Sequence, residues 1–329
     1  MMALNQGLGS RVGSRSRRVL GIMLLLAACA VGFWELSEIR RGAGKPKMLD
    51  DGGMKQDVAS LPELLALPES KLTTIDIALM NLLCTEGLPG ADNLNQKSLL
   101  AQLDTWASRI RTETERHSYR FRANPSEFEN SEAFFRLLMM TVVVQEDFKV
   151  RYNPARAPAS RADSAIDGFF QNSRDIFLHG LLSGDRTGTC SSMPVLYAAL
   201  GRRLGYPLKL VTTKGHLFVR WESETERVNA EITNTGINRF DDNYYKHWPF
   251  EVSDDEVKAE SYLRSLNATE ELAVFLSTRG LCLMEAGRRS EAAESFANAA
   301  RLAPSVAGYK SMTAQLQASS RTRNSVAVK

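Results

Sequence analysis

A cysteine, a histidine and a carboxylate stand in that order between residues 190 and 231: Cys190, His216 and Glu231. Together these residue types can break an acyl bond. A thiolate attacks the carbonyl, an imidazole beside it carries the proton, and a carboxylate fixes the ring's tautomer. The backbone N–H of Cys190 is then one donor to the developing oxyanion. Asn172, which precedes the cysteine, is the candidate for a second donor. Asn229 is the alternative to Glu231 as third member, because residues two apart share a strand face. The competing reading makes Cys190 a small buried residue at a helix start and His216 an ordinary strand residue.

The surrounding elements are suited to bringing the three together. "CSSMPVLYAALGRRLG" reads as a helix with an apolar face of Met193, Leu196, Tyr197, Leu200 and Leu204. Pro194 fits its first turn, Gly205 its C′ position, and Pro207 stops it. Cys190 therefore sits at or beside a helix N-terminus, where unpaired N–H groups favour an anion. "YPLKLVTT", "GHLFVRWE" and "RVNAEIT" follow as β-prone segments. The second alternates His216, Phe218 and Arg220 against Leu217, Val219 and Trp221, and the third alternates Asn229, Glu231 and Thr233 against Val228, Ala230 and Ile232. Antiparallel pairing of those two brings His216 near Glu231 or Asn229.

Upstream, helical signals run from "SLPELLALPES" to about residue 150. Leu72, Ile75, Leu79, Leu82 and Leu83 form one stripe, and Leu99, Leu100, Leu103, Trp106 and Ile110 another. Ser131 and Glu132 open "AFFRLLMMTVVV", whose β-branched end weakens the helix. "RYNPARAPASRADSA" (151–165) reads as a loop, and His117 as a solvated helix position. Downstream, "DDNYYKHWPF" is an aromatic loop that either roofs a cleft or packs. Residues 271–304 resemble one tetratricopeptide repeat, with Gly280, Ala292, Phe296, Ala299 and Pro304 in its small, aromatic and proline slots. One and a half repeats make a docked helical hairpin rather than a solenoid groove. "SSRTRNSVAVK" is expected to be disordered.

The order of Cys190, His216 and Glu231, on "TGTCSSMPVLYAALGRRLGYPLKLVTTKGHLFVRWE" followed by "NAEITNTG", resembles the transglutaminase-like superfamily. The chain is most similar to its SirB-type bacterial branch, which pairs a helical N-terminal region with a tetratricopeptide-like tail. The resemblance spans roughly residues 70–310. It implies a papain-like α+β fold: a helix packed on a small antiparallel sheet, flanked by helices. It also implies Cys190 as nucleophile, His216 as base and Glu231 in a slot that commonly holds Asp. The activity expected is acyl transfer on peptide or isopeptide amides, as peptidase, amidase or transglutaminase. The alternative is a non-catalytic interaction scaffold.

At the N-terminus, Arg11, Arg15, Arg17 and Arg18 precede "VLGIMLLLAACAVGFW", a 16-residue run without charge. With Glu35 and Leu36 at the interface it approaches the ~17–25 residues of a spanning helix. A single-pass signal-anchor through 19–36 is the first reading, with the main domain outside the cytoplasm. A cleaved secretory signal and a lipoprotein box "LAAC" with Cys29 lipidated are the alternatives. The layout is then a cytoplasmic tail and anchor (1–36), a flexible linker (37–58), a helical region (59–165), the transglutaminase-like core (166–255), tetratricopeptide-like helices (256–318) and a disordered tail (319–329).

Four widely spaced cysteines, with no CxxC or Cys/His ligand spacing, argue against a disulfide scaffold and against a metal site. No cofactor is implied. A net charge of +3 spread along the chain speaks against nucleic acid as the partner. A protein or peptide remains as the expected substrate or partner.

Overall fold

The computed structural model describes residues 58–156 and 168–327, with side chains to residue 319. The expected anchor, linker and Cys29 lie outside those residues. Among the described residues, no helix is long and apolar enough to cross a membrane.

The architecture is α+β, helices around two small sheets. Helices α1 (Leu61–Ala66), α2 (Glu69–Leu72) and α3 (Ile77–Leu83) come first. The stripe expected as one helix over 72–84 is broken in two. Thr73 and Thr74 turn their hydroxyls back onto the Ser70 and Lys71 carbonyls, and Asp76 caps α3 by accepting the Ala78 N–H at 2.7 Å. Helix α4 (Gln96–Ala123) starts at an Asn95 cap and buries Leu99, Leu103, Trp106 and Ile110. Helix α5 (Glu132–Val142) starts at Ser131, whose hydroxyl accepts the Phe134 N–H at 2.9 Å. It passes into a π-helical turn over Val143–Asp147, within the β-branched run that starts at Thr141. His117 on α4 is half-buried beside Glu113 rather than solvated.

Strand β1 (Arg151–Tyr152) lies inside the expected loop and pairs in parallel with β2 (Thr187–Gly188). Between them come α6 (Ser173–Ile176) and α7 (Leu178–Ser183). Helix α8 (Met193–Arg203) follows, and every residue from Met193 to Gly201 is buried. It is thus surrounded by α3, α4, β3 (Leu208–Thr213) and β4 (His216–Glu222), rather than showing the single apolar face expected. Leu204 is only half-buried. Gly201 permits the close approach: a Cβ there would stand 2.2 Å from the Leu208 side chain. Gly205, at φ +75°, ends the helix in the left-handed conformation, and the Tyr206 N–H returns to the Gly201 carbonyl at 2.8 Å.

Strand β5 (Arg227–Ala230) completes an antiparallel sheet of order β3-β4-β5. The β3–β4 turn is Lys214–Gly215, with Thr213 opposite His216; across β4–β5, Val219 faces Ala230 and Arg220 faces Asn229. The outer edge of β3 is covered by residues 263–266. The Leu263 and Leu266 N–H groups donate to the Thr212 and Leu210 carbonyls, both at 2.9 Å.

The aromatic stretch expected as a loop forms α9 (Asp242–His247), capped by Asp241. Helices α10 (Asp254–Ala259), α11 (Ala268–Glu285), α12 (Arg289–Leu302) and α13 (Ala307–Ala327) follow. At the α11–α12 crossing, a Cβ on Gly280 would meet the Phe296 ring at 2.7 Å, so the helices touch there. Helix α13 runs to Ala327, through most of the tail expected to be disordered; from Tyr309 onward that sequence has no Gly or Pro to stop it.

Candidate active site

Cys190 stands at the crest of a turn three residues ahead of the start of α8, half-buried. The turn is held from below. The Thr189 carbonyl accepts the Ser192 and Met193 N–H groups at 3.2 and 3.0 Å, while the Thr189 N–H donates to Ser192 Oγ at 3.0 Å. Thr189 and Ser192 hydroxyls both donate to the Asp175 carbonyl, at 2.8 and 3.3 Å. The Asp175 carboxylate in turn takes Asn153 Nδ2 at 2.9 Å and pairs with Arg156 at 2.9 Å. One residue therefore joins the cysteine turn to the segment after β1.

His216 opens β4, directly after Gly215, whose φ of +72° turns the hairpin. Glu231 lies one residue past β5, on the same face as His216 and two rungs away. His216 Nε2 meets Glu231 Oε2 at 2.7 Å, with both side chains almost fully buried (3% and 1% exposed). Cys190 acts with Glu231 to raise the pKa of the same ring, and Cys190 and His216 line one cleft. The structure thus brings Cys190, His216 and Glu231 together.

The electrostatics follow from that enclosure. Burial pulls the His216 ring down, but interactions with Cys190 and Glu231 outweigh it and raise its pKa to about 9. Burial acts to raise the Glu231 carboxyl. Hydrogen bonds from His216 and Thr233 overcome this and hold it below its ordinary value. Thr233 donates its N–H to Glu231 Oε1 at 3.0 Å, and its hydroxyl bonds the same oxygen. The enclosure therefore favours the protonated form of the ring, beside a buried carboxylate.

Three aromatic residues that sequence reasoning did not assign complete the setting. Tyr152 is brought beside Cys190 by the parallel β1–β2 pair and lines the same cleft, its O–H donating to the Arg156 carbonyl at 3.4 Å. Burial is the main reason its phenol is pushed well above the ordinary range. Tyr245 on α9 stacks on Phe218 at 3.7 Å and donates its O–H to Glu231 Oε2 at 3.4 Å. Trp248 presents its ring edge-on to His216 at 4.6 Å. It also lines the cleft, as does Phe250, which places part of the aromatic stretch over the site.

The two supporting candidates lie elsewhere. Asn172 is exposed and caps α6, its Oδ1 accepting the Arg174 N–H at 3.0 Å; it is absent from the cleft lining, so it is no oxyanion donor here. Asn229 accepts from Arg220 Nε at 2.7 Å and donates to Asp242 at 2.8 Å, so its amide is spent away from His216. Cys84 and Cys282 are buried, and burial pushes both thiols up to about 12. Among the described residues, no three His, Cys, Asp or Glu side chains converge as metal ligands.

A cleft of about 910 Å³ opens over Cys190 and His216, and Tyr152, Phe169, Phe170 and Trp248 also line it. The arrangement offers a nucleophile, a proton carrier and an orienting anion to a carbonyl entering the cleft. No family model, curated protein or solved structure matches the chain.

Proposed function

We propose that this chain is a membrane-tethered thiol acyltransferase or hydrolase of the transglutaminase-like type, related to the SirB-type branch, acting on peptide or isopeptide amides. The single observation that carries the reading is the His216–Glu231 contact of 2.7 Å, with Cys190 and His216 lining the same cleft. The tether is read from the uncharged run at 19–34. Cys190 Sγ adds to the amide carbonyl while the oxygen takes negative charge near the Cys190 N–H. On collapse the C–N bond breaks, the leaving nitrogen takes the proton from imidazolium His216, and a thioester remains. Water or an amine then attacks the thioester, His216 takes the proton of that nucleophile, and the thiolate departs. Glu231 keeps the ring oriented throughout and stabilises its positive form.

The test is iodoacetamide labelling of the folded chain with mass mapping. Cys190 should be alkylated at least about 100-fold faster than Cys84 or Cys282, which are buried thiols. Labelling of all three at one rate would remove the catalytic reading and leave a docking scaffold.

A further inference from the structure

The cleft does not end at the catalytic triad. It continues along one side of α11, where Glu270, Val274, Thr278, Leu281 and Glu285 recur at helical spacing and form a wall. Tyr262 and Tyr309, from the segment before α11 and from α13, line the same part. The tetratricopeptide-like helices are thus not merely docked behind the sheet; they complete the binding site.

The two ends of this cleft differ in charge. At the thiol end the walls are aromatic, and the lining cation Arg156 is neutralised by Asp175. At the α11 end Arg264 is paired with Glu270 at 2.5 Å. That leaves two lining carboxylates, Glu260 and Glu285, with no ion pair among the described residues. Among the described residues Glu260 accepts the Gly308 N–H, at 3.1 Å, and its charge acts on both Tyr262 and Tyr309. Carboxylates beside aromatic faces attract a cation. A volume of about 910 Å³ is large for a single amino acid and suits several residues.

We propose that the substrate is an extended peptide. It places a large apolar side chain among Phe169, Phe170 and Trp248, next to the acyl carbonyl, and a lysine or arginine side chain farther along, against Glu260 and Glu285. This rests on the acyl-transfer reading for what lies at Cys190, but the charge preference can be measured without catalysis.

The experiment uses the full chain carrying Cys190→Ala and three fluorescein-labelled hexapeptide amides, followed by anisotropy. One peptide holds Phe and Lys, the second Phe and Glu, the third Ala and Lys. The Phe/Lys peptide should bind at least about fivefold tighter than either other peptide. Adding Glu260→Gln and Glu285→Gln should abolish the preference for Lys over Glu. Glu260→Gln keeps an oxygen for the Gly308 N–H, and Glu285 is exposed, so a thermal unfolding midpoint close to that of the parent is expected. Equal binding of the Lys and Glu peptides to the Cys190→Ala parent, or binding of neither, overturns the proposal even where the double variant fails to fold. Charge-selective binding together with absent Cys190 alkylation in the unaltered chain keeps this cleft assignment and removes the catalytic one.

Discussion

Two buried ionic clusters share one face of β4, four residues apart. Around Arg220, fully buried, Nε, Nη1 and Nη2 each have an acceptor: Asn229 at 2.7 Å, the Leu263 carbonyl at 3.1 Å and Asp242 at 2.6 Å. Around His216, one ring nitrogen is bound to Glu231 and the ring lines a cleft together with a cysteine. Phe218, stacked on Tyr245, separates them. The first cluster is closed and joins α9 and residue 263 to the sheet. The second is left open on one side, toward a group that can react. The same strand face thus carries a structural ion cluster and a chemical one, and what separates them is whether every valence is met from within the fold.

The contrast can be broken most sharply at Glu231. Glu231→Gln should slow alkylation of Cys190 by about 100-fold or more, since the ring loses its orienting anion, and the thermal midpoint should fall less than for Arg220→Leu. Arg220→Leu leaves Asn229 Oδ1 and the Leu263 carbonyl without their donor, while Asp242 keeps Arg227. It should cost about 2–4 kcal/mol in urea unfolding and leave the Cys190 alkylation rate of the folded fraction within about threefold. Next comes pH. The folded His216 pKa of about 9 lies above the ordinary 6.5. Its stabilising contribution is therefore complete below pH 6.5 and lost as pH rises through 9. The stability gap between the unaltered chain and His216→Gln should shrink over that window by on the order of 3 kcal/mol, read from urea midpoints. The smallest effect is expected for Tyr245→Phe, which keeps the ring stack and removes one long hydrogen bond to Glu231. It should cost about 1 kcal/mol and move the midpoint of the pH–alkylation profile by less than about one unit.

Much of the site's framework was legible because it rests on local periodicity. The strands around His216 alternate with period two, Pro194 and Gly205 bracket α8, and the positions of Cys190, His216 and Glu231 follow from those elements. Tyr152 was not legible. Its strand is two residues long, and it pairs with residues 187–188 far along the chain, so no local pattern marks it. Tyr245 escaped for a related reason: its role comes from α9 lying against the sheet, which the aromatic run alone does not specify. Asn172 and Asn229 show the opposite failure. Both types hydrogen-bond readily to whatever is nearest, here a helix start and a buried guanidinium. Helix α8 misled because alternating burial fades when an element is enclosed on every side.

The strip at 263–266 that runs beside β3 has a consequence for dividing this polypeptide. A chain cut short ahead of Leu263 keeps nucleophile, ring and anion in its sequence but bares the outer N–H and C=O groups of β3. A naked rim of that kind is a template for pairing with a neighbouring molecule. The C-terminal helices and the sheet are accordingly one piece for expression, and the smaller fragment on its own is expected to aggregate.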